Sequence, residues 1–181
     1  CVRCARCNRP EQSDATPHLL VLHSVYLMSV LCPSLTYASG DTLAVFNALS
    51  YRGKLDRIGV SNFQPGQVAE AIELSDAPIF ANQVECHPLL QQDDLREVCA
   101  DHDVELVAYS PLARGAVFDV PEIEAIADDH GVSPAQISLA WLREEGVTAI
   151  PTATSEDHIS DNWASLSVDL TDADLATIRG I

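Results

Sequence analysis

Lysine is almost missing from this chain. Lys54 is the only one, and 10 basic residues stand against 27 acidic ones, a formal net charge of -17. Nucleic acids and anionic membrane surfaces are bound through clusters of Lys and Arg, so this balance argues against both as partners. Long apolar runs are missing too, since no stretch reaches the ~20 residues that a membrane helix needs. The most apolar segment, residues 18–35, is broken by His, Ser, Tyr and Pro and has neither a basic start nor a small-residue cleavage site. These absences lead to the expectation of a cytoplasmic protein. The acids are scattered rather than gathered in one tail. Scattered acid with a single lysine reads as salt adaptation, in which concentrated cations screen self-repulsion; an ordinary acidic cytosolic protein is the alternative.

The six cysteines fall into two groups. Cys32, Cys86 and Cys99 are isolated among apolar or mixed neighbours and read as reduced, buried thiols. Cys1, Cys4 and Cys7 form a C-x-x-C-x-x-C spacing that could start a zinc or iron–sulfur site. Asn8-Arg9-Pro10 supplies no fourth ligand, and His18 is the nearest candidate. The competing reading is an unstructured leader, and no metal ligand is assigned. Residues 1–24 are accordingly expected to be an unstructured or foreign leader, in a sequence that does not begin with Met.

From Val25 onward strand and helix signals alternate. Five strands are expected: Val25–Leu31, Leu55–Val60, Ile79–Val84, Val104–Ala108 and Val147–Ile150. Helices are expected from a cap at Asp41, over Pro65–Leu74, Asp93–His102 and Pro121–His130, and from a cap at Ser133 to Glu145. Two more should cover Ser155–Leu166 and Thr171–Ile178. This alternation predicts βαβ units and a parallel sheet, an α/β fold over residues 25–181. Three of the strands run into small polar groups at their carboxyl ends: Gly59-Val60-Ser61-Asn62-Phe63, Asn82-Gln83-Val84-Glu85-Cys86-His87-Pro88, and Ala108-Tyr109-Ser110-Pro111-Leu112. Polar side chains at the carboxyl ends of buried parallel strands are where an α/β barrel keeps its chemistry.

In order and wording these segments resemble the aldo-keto reductases, barrel enzymes that reduce carbonyls with a nicotinamide cofactor. The later run His130-Gly131-Val132-Ser133-Pro134-Ala135-Gln136 and the strand ending Ala149-Ile150-Pro151 extend the likeness. The resemblance covers strands four to eight of the family's barrel. A complete barrel takes about 250 residues, so a partial (β/α)8 barrel is expected here. The resemblance implies that Ser61, Asn62 and Gln83 hydrogen-bond the nicotinamide carboxamide, which offers both donor and acceptor. It implies that Tyr109 stacks on the nicotinamide ring, that Ser110 and Leu112 line the pyrophosphate, and that Ser155, Asp161 and Asn162 hold the adenosine end. His87 is read as structural or pocket-lining.

The family's proton donor is a Tyr supported by Lys, Asp and His. The first three lie on strands one to three, and no segment here matches those strands. The His ends strand four, where this sequence has Leu31, with Cys32 in the place of the following Trp. Lys54 precedes a strand and should lie at the opposite face, so no catalytic residue is assigned. After the last strand Thr152 replaces the family's Lys, and His158 replaces an Arg that holds the 2′-phosphate of NADP. NADP or NAD is therefore expected, with weak discrimination. The expectation is an NAD(P)H-dependent reductase of aldehydes or ketones by descent, inactive alone, acting on a small carbonyl substrate. The alternative is a non-catalytic module that binds a nicotinamide nucleotide or pairs with a partner that completes the barrel.

Overall fold

The computed structural model describes residues 28–31 and 39–181. The expected leader, the Cys1, Cys4 and Cys7 triplet, Val25 and Cys32 lie outside the described residues. The elements in order are β1 (Met28–Leu31), α1 (Ser39–Tyr51), β2 (Ile58–Ser61), α2 (Pro65–Leu74), β3 (Ile79–Glu85), α3 (Asp93–Asp101) and β4 (Glu105–Tyr109). A 3₁₀ segment at Ala113–Asp119 follows, then α4 (Pro121–His130), α5 (Pro134–Glu144), β5 (Thr148–Ala149), α6 (Glu156–Ala164) and α7 (Asp172–Arg179). The five strands form one sheet in sequence order, and every neighbouring pair is parallel. This is the expected α/β alternation with five strands.

Local chemistry explains most boundaries. Ser133 caps α5 by accepting the Gln136 N–H at 3.2 Å, with Pro134 in the first turn. Gly131 ends α4 in the left-handed conformation, φ 66°, which costs a residue without a Cβ little. Thr171 and Asp174 form a reciprocal capping box on α7. Several boundaries differ from expectation by a residue or more, and two starts and one segment stand out. Helix α1 begins at Ser39, so Asp41 lies inside the first turn rather than capping it. Strand β2 begins at Ile58; Leu55 makes an isolated β-bridge and is buried, but two residues outside any regular element separate it from the strand. The 3₁₀ segment was not anticipated, because its residues carry no helical periodicity.

Strand register divides the sheet into two faces. Val60, Asn82 and Leu106 are partners across β2, β3 and β4, and Val84, Ala108 and Ala149 continue that face. All six are buried beneath the helices. The opposite face carries Ser61, Gln83, Val107 and Thr148 in one row and Glu85 with Tyr109 in the next. Apart from Val107 these side chains are only half-buried. Alternate residues of a strand point to opposite sides, so one face builds the core and the other presents polar groups.

Helix α5 is the most deeply buried helix, contributing Ile137, Leu139, Ala140, Trp141 and Leu142 to the core. Its carboxyl end is fixed by Glu145, whose buried carboxylate takes Arg96 of α3 at 2.7 Å and Arg179 of α7 at 2.8 Å. His130 and Asp174 tie α4 to α7 at 3.0 Å. Cys86 and Cys99 are free and buried, as expected, and burial pushes their thiols up to about 12 and about 11. Among the described residues no helix is long and apolar enough to cross a membrane.

Candidate functional site at the strand ends

The carboxyl ends of β2, β3 and β4 bring four of the expected residues into one bonded group. Ser61 Oγ donates to the Gln83 carbonyl at 2.9 Å, and the Asn62 N–H donates to the same oxygen at 2.9 Å. Tyr109 donates its hydroxyl to Asn62 Oδ1 at 3.1 Å, which fixes the ring beside the strand ends. Asn62 has φ 58°, a left-handed conformation that Asn tolerates better than most residues. It turns the chain sharply where the strand stops. Among the described residues nothing bonds the Gln83 side-chain amide. The group thus offers a hydroxyl, two amides and an oriented aromatic face, which matches the donors and acceptors a carboxamide on a flat ring requires.

A buried clamp, not recognised from the sequence, holds this group. Asn82 is fully buried on the helix-facing side of β3. Its Nδ2 donates to the Phe63 carbonyl at 2.9 Å, and its Oδ1 accepts the Phe63 N–H at 3.3 Å. The turn carrying Ser61 and Asn62 is therefore pinned to the neighbouring strand by side-chain bonds to its backbone. The loop after β4 is pinned in the same way, since buried Ser138 of α5 donates to the Pro111 carbonyl at 2.8 Å. In that loop Ser110, Ala113 and Arg114 all have positive φ, with values of 48°, 47° and 54°. Such backbone is strained for residues with a Cβ, and it is held by its surroundings. Leu112 is half-buried and packs against the core.

The remaining expected residues sit at the cap and in the second half of α6. Ser155 caps that helix by accepting the His158 N–H at 3.2 Å. The carboxylate of Asp161 is engaged by α5: Ser133 Oγ donates to it at 2.7 Å and Gln136 Nε2 takes the other oxygen. Asp161 therefore fixes α6 against the start of α5. The Asn162 carbonyl accepts from Ser165 Oγ at 2.7 Å. Thr152 and His158 are both exposed. Lys54 lies exposed ahead of β2, at the opposite end of the strand from Ser61.

His87 follows β3 and is buried. Its Nε2 lies 3.7 Å from Glu85 Oε1, and its Nδ1 is buried without a partner. Burial pushes its pKa down, against the pull of Glu85 in the other direction. A cavity of 430 Å³ opens at the amino ends of β4 and β5, between Cys99, Glu105, Arg143 and Thr148. It lies away from the strand ends, where parallel-barrel chemistry gathers. Among the described residues no group of His, Cys, Asp and Glu could hold a metal ion.

Known proteins resemble this chain in sequence and in fold. The chain is 35% identical over 141 residues to an aldo-keto reductase of Mycolicibacterium smegmatis, covering 78% of this chain and 51% of that protein. It is 36% identical over the same length to a glyoxal reductase of Bacillus subtilis, with the same coverage of 78% and 51%. A solved mutant of Gox0644 in complex with NADPH superimposes with a TM-score of 0.81 at 26% identity, covering 87% of this chain and 59% of that one. The chain thus spans about half the length of the curated relatives it matches. Its sheet corresponds to part of the barrel of these structures. The model of the aldo/keto reductase family matches residues 15–181, and the chain belongs to that family.

Proposed function

We propose that this chain supplies the nicotinamide-holding wall of an NAD(P)H-dependent reductase of small aldehydes or ketones. The carrying observation is the bonded group of Ser61, Asn62, Gln83 and Tyr109 at the ends of three adjacent parallel strands. A reduced nicotinamide, when bound, supplies hydride to a carbonyl carbon. The residues of this chain bind and orient. Asn62, Gln83 and Ser61 match a carboxamide, and Tyr109 offers its ring face. Ser110 and Leu112 lie where the pyrophosphate would run, and Ser155 and Asn162 where the adenosine would end, with Asp161 setting the angle of α6. The names of two relatives and neighbours point the same way, one a glyoxal reductase and one solved with NADPH.

We assign no proton donor among these 181 residues, so these residues by themselves bind cofactor without turnover. Thr152 and His158 provide no permanent cation for a 2′-phosphate, so NADPH and NADH bind with similar affinity. The reduced, buried Cys86 and Cys99 suit the cytoplasm, and the acidic surface suits concentrated salt. One observation favours a second reading, a half-barrel module that pairs with a partner. Glu85, Glu105 and Thr148 leave the site-facing side of the sheet half-exposed, and at the sheet edge β5 is only two residues long.

The test is fluorescence titration of the 181-residue chain with NADPH and with NADH in concentrated salt, beside a carbonyl-dependent turnover assay. Saturable binding of both, lost in Tyr109→Ala and unaccompanied by turnover, is expected. A folded sample that binds neither cofactor overturns the reading. Turnover would overturn the absence of a proton donor. A shift in elution volume on adding a partner chain would favour the second reading.

A further inference from the structure

Glu85 occupies a place that the cofactor reading leaves unexplained. It lies two residues beyond Gln83 on the same face of β3, and its register partner on β4 is Tyr109. The side chain is 30% exposed on this half-open face. Its one ion-pair neighbour among the described residues is His87, at 3.7 Å. His87 does not cancel the charge. Its Nδ1 is buried without a partner, so protonation would bury a further N–H with nothing to accept it, an outcome that costs more than the loose contact with Glu85 returns. Burial accordingly holds the imidazole pKa below its ordinary value, with Glu85 opposing. A fixed negative charge therefore stands beside the aromatic platform and one strand-repeat from the carboxamide-matching amide.

We infer that the Glu85 carboxylate makes this site discriminate between oxidation states of the nicotinamide, favouring the oxidised ring, which is positively charged, over the reduced ring, which is neutral. The inference rests on the cofactor reading above. Gln83, Asn62 and Tyr109 meet features that both oxidation states share. Glu85 meets a feature that differs between them, the formal charge of the ring. Adjacent strands are about 4.8 Å apart and two residues rise about 6.6 Å, so a carboxylate at this position acts over a short path in a partly water-filled mouth. A charge pair of that kind changes affinity about fivefold, and removing the charge lowers affinity for the oxidised form alone.

The experiment measures dissociation constants of NADP+ and NADPH, at one fixed ionic strength, for the unaltered chain, Glu85→Gln and Glu97→Gln. Glu97 is an exposed acid on α3 that serves as a control for total charge. Near-UV circular dichroism checks that each variant is folded. Glu85→Gln keeps the size of the side chain and its ability to bond His87. It should weaken NADP+ about fivefold, leave NADPH unchanged and thereby alter the ratio of the two constants. Glu97→Gln should leave that ratio alone. If Glu85→Gln weakens both forms by the same factor, or neither, the inference is overturned and Glu85 is a structural residue. If the unaltered chain binds neither form, the cofactor reading itself fails and this inference falls with it.

Discussion

Replacing Asn82 with Ala tests the buried clamp directly. In the folded chain Asn82 is fully buried and bonds both the N–H and the carbonyl of Phe63, which is itself only 2% exposed. Ala removes both partners at once and leaves two backbone groups without them in a region with little access to water. Each orphaned buried group costs about 1–3 kcal/mol, so a total loss of about 3 kcal/mol is expected after partial relaxation. In a chain of this length that lowers Tm by about 6–12 °C. The assay is thermal and urea unfolding in concentrated salt, followed by circular dichroism. A second readout comes from the turn that Asn82 holds, because Phe63 directly follows Ser61 and Asn62. Cofactor affinity should fall even at temperatures where the variant is fully folded. An Asn82→Ala chain within about 0.5 kcal/mol of the parent, the usual scale for a featureless surface change, with undiminished cofactor binding would refute the clamp.

Ser138→Ala removes the bond to the Pro111 carbonyl and should cost about 1–2 kcal/mol, with a larger loss of affinity for NADPH than for a nicotinamide mononucleotide; equal losses would count against its role in holding the loop after β4. Glu145→Gln removes the buried charge that pairs with Arg96 and with the exposed Arg179 and should destabilise by about 1–3 kcal/mol in urea unfolding, and a neutral result would show that the carboxylate is solvated in solution. His87 gives a pH dependence. Its pKa is lowered in the folded chain from the ordinary 6.5, so the unfolded chain takes up the proton first as pH falls. Stability is complete above about pH 6.5 and declines through the window between that value and the lowered one. Melting curves of His87→Gln should lack this segment of slope; matching slopes in the two proteins would assign the decline to other groups.

The site and the sheet were legible in the sequence for different reasons. Strand order, helix caps and the polar strand ends are local signals: Ser133 before Pro134, Gly131 after α4, and Ser61-Asn62 after an apolar run each carry their meaning within a few residues. Asn82 and Ser138 were not legible, because polarity suggests exposure and both are fully buried. Only the register, which sets Gln83 on one face and Asn82 on the other, distinguishes the two adjacent amides. The engagement of Asp161 by Ser133 and Gln136 joins residues 28 and 25 positions apart, and nothing local announces it. The same holds for Glu145, whose partners come from α3 and α7. The 3₁₀ segment at Ala113–Asp119 owes its path to strained backbone held by α5, a tertiary effect that periodicity does not record.

The two-faced register of the sheet has a consequence for how such a chain drifts under mutation. Stability is drawn from Val60, Asn82, Val84, Leu106 and Ala108, while the contacts proposed for the cofactor fall to Ser61, Gln83, Glu85 and Tyr109, which alternate with them along the same strands. The first set can stay intact while the second erodes, so the shape can outlive the chemistry. A lineage that stopped using its cofactor would keep this sheet for as long as the helix-facing positions were conserved. For protein engineering the same interleaving is an advantage: the ligand-facing positions of β2, β3 and β4 can be randomised together, and the library will consist largely of folded molecules.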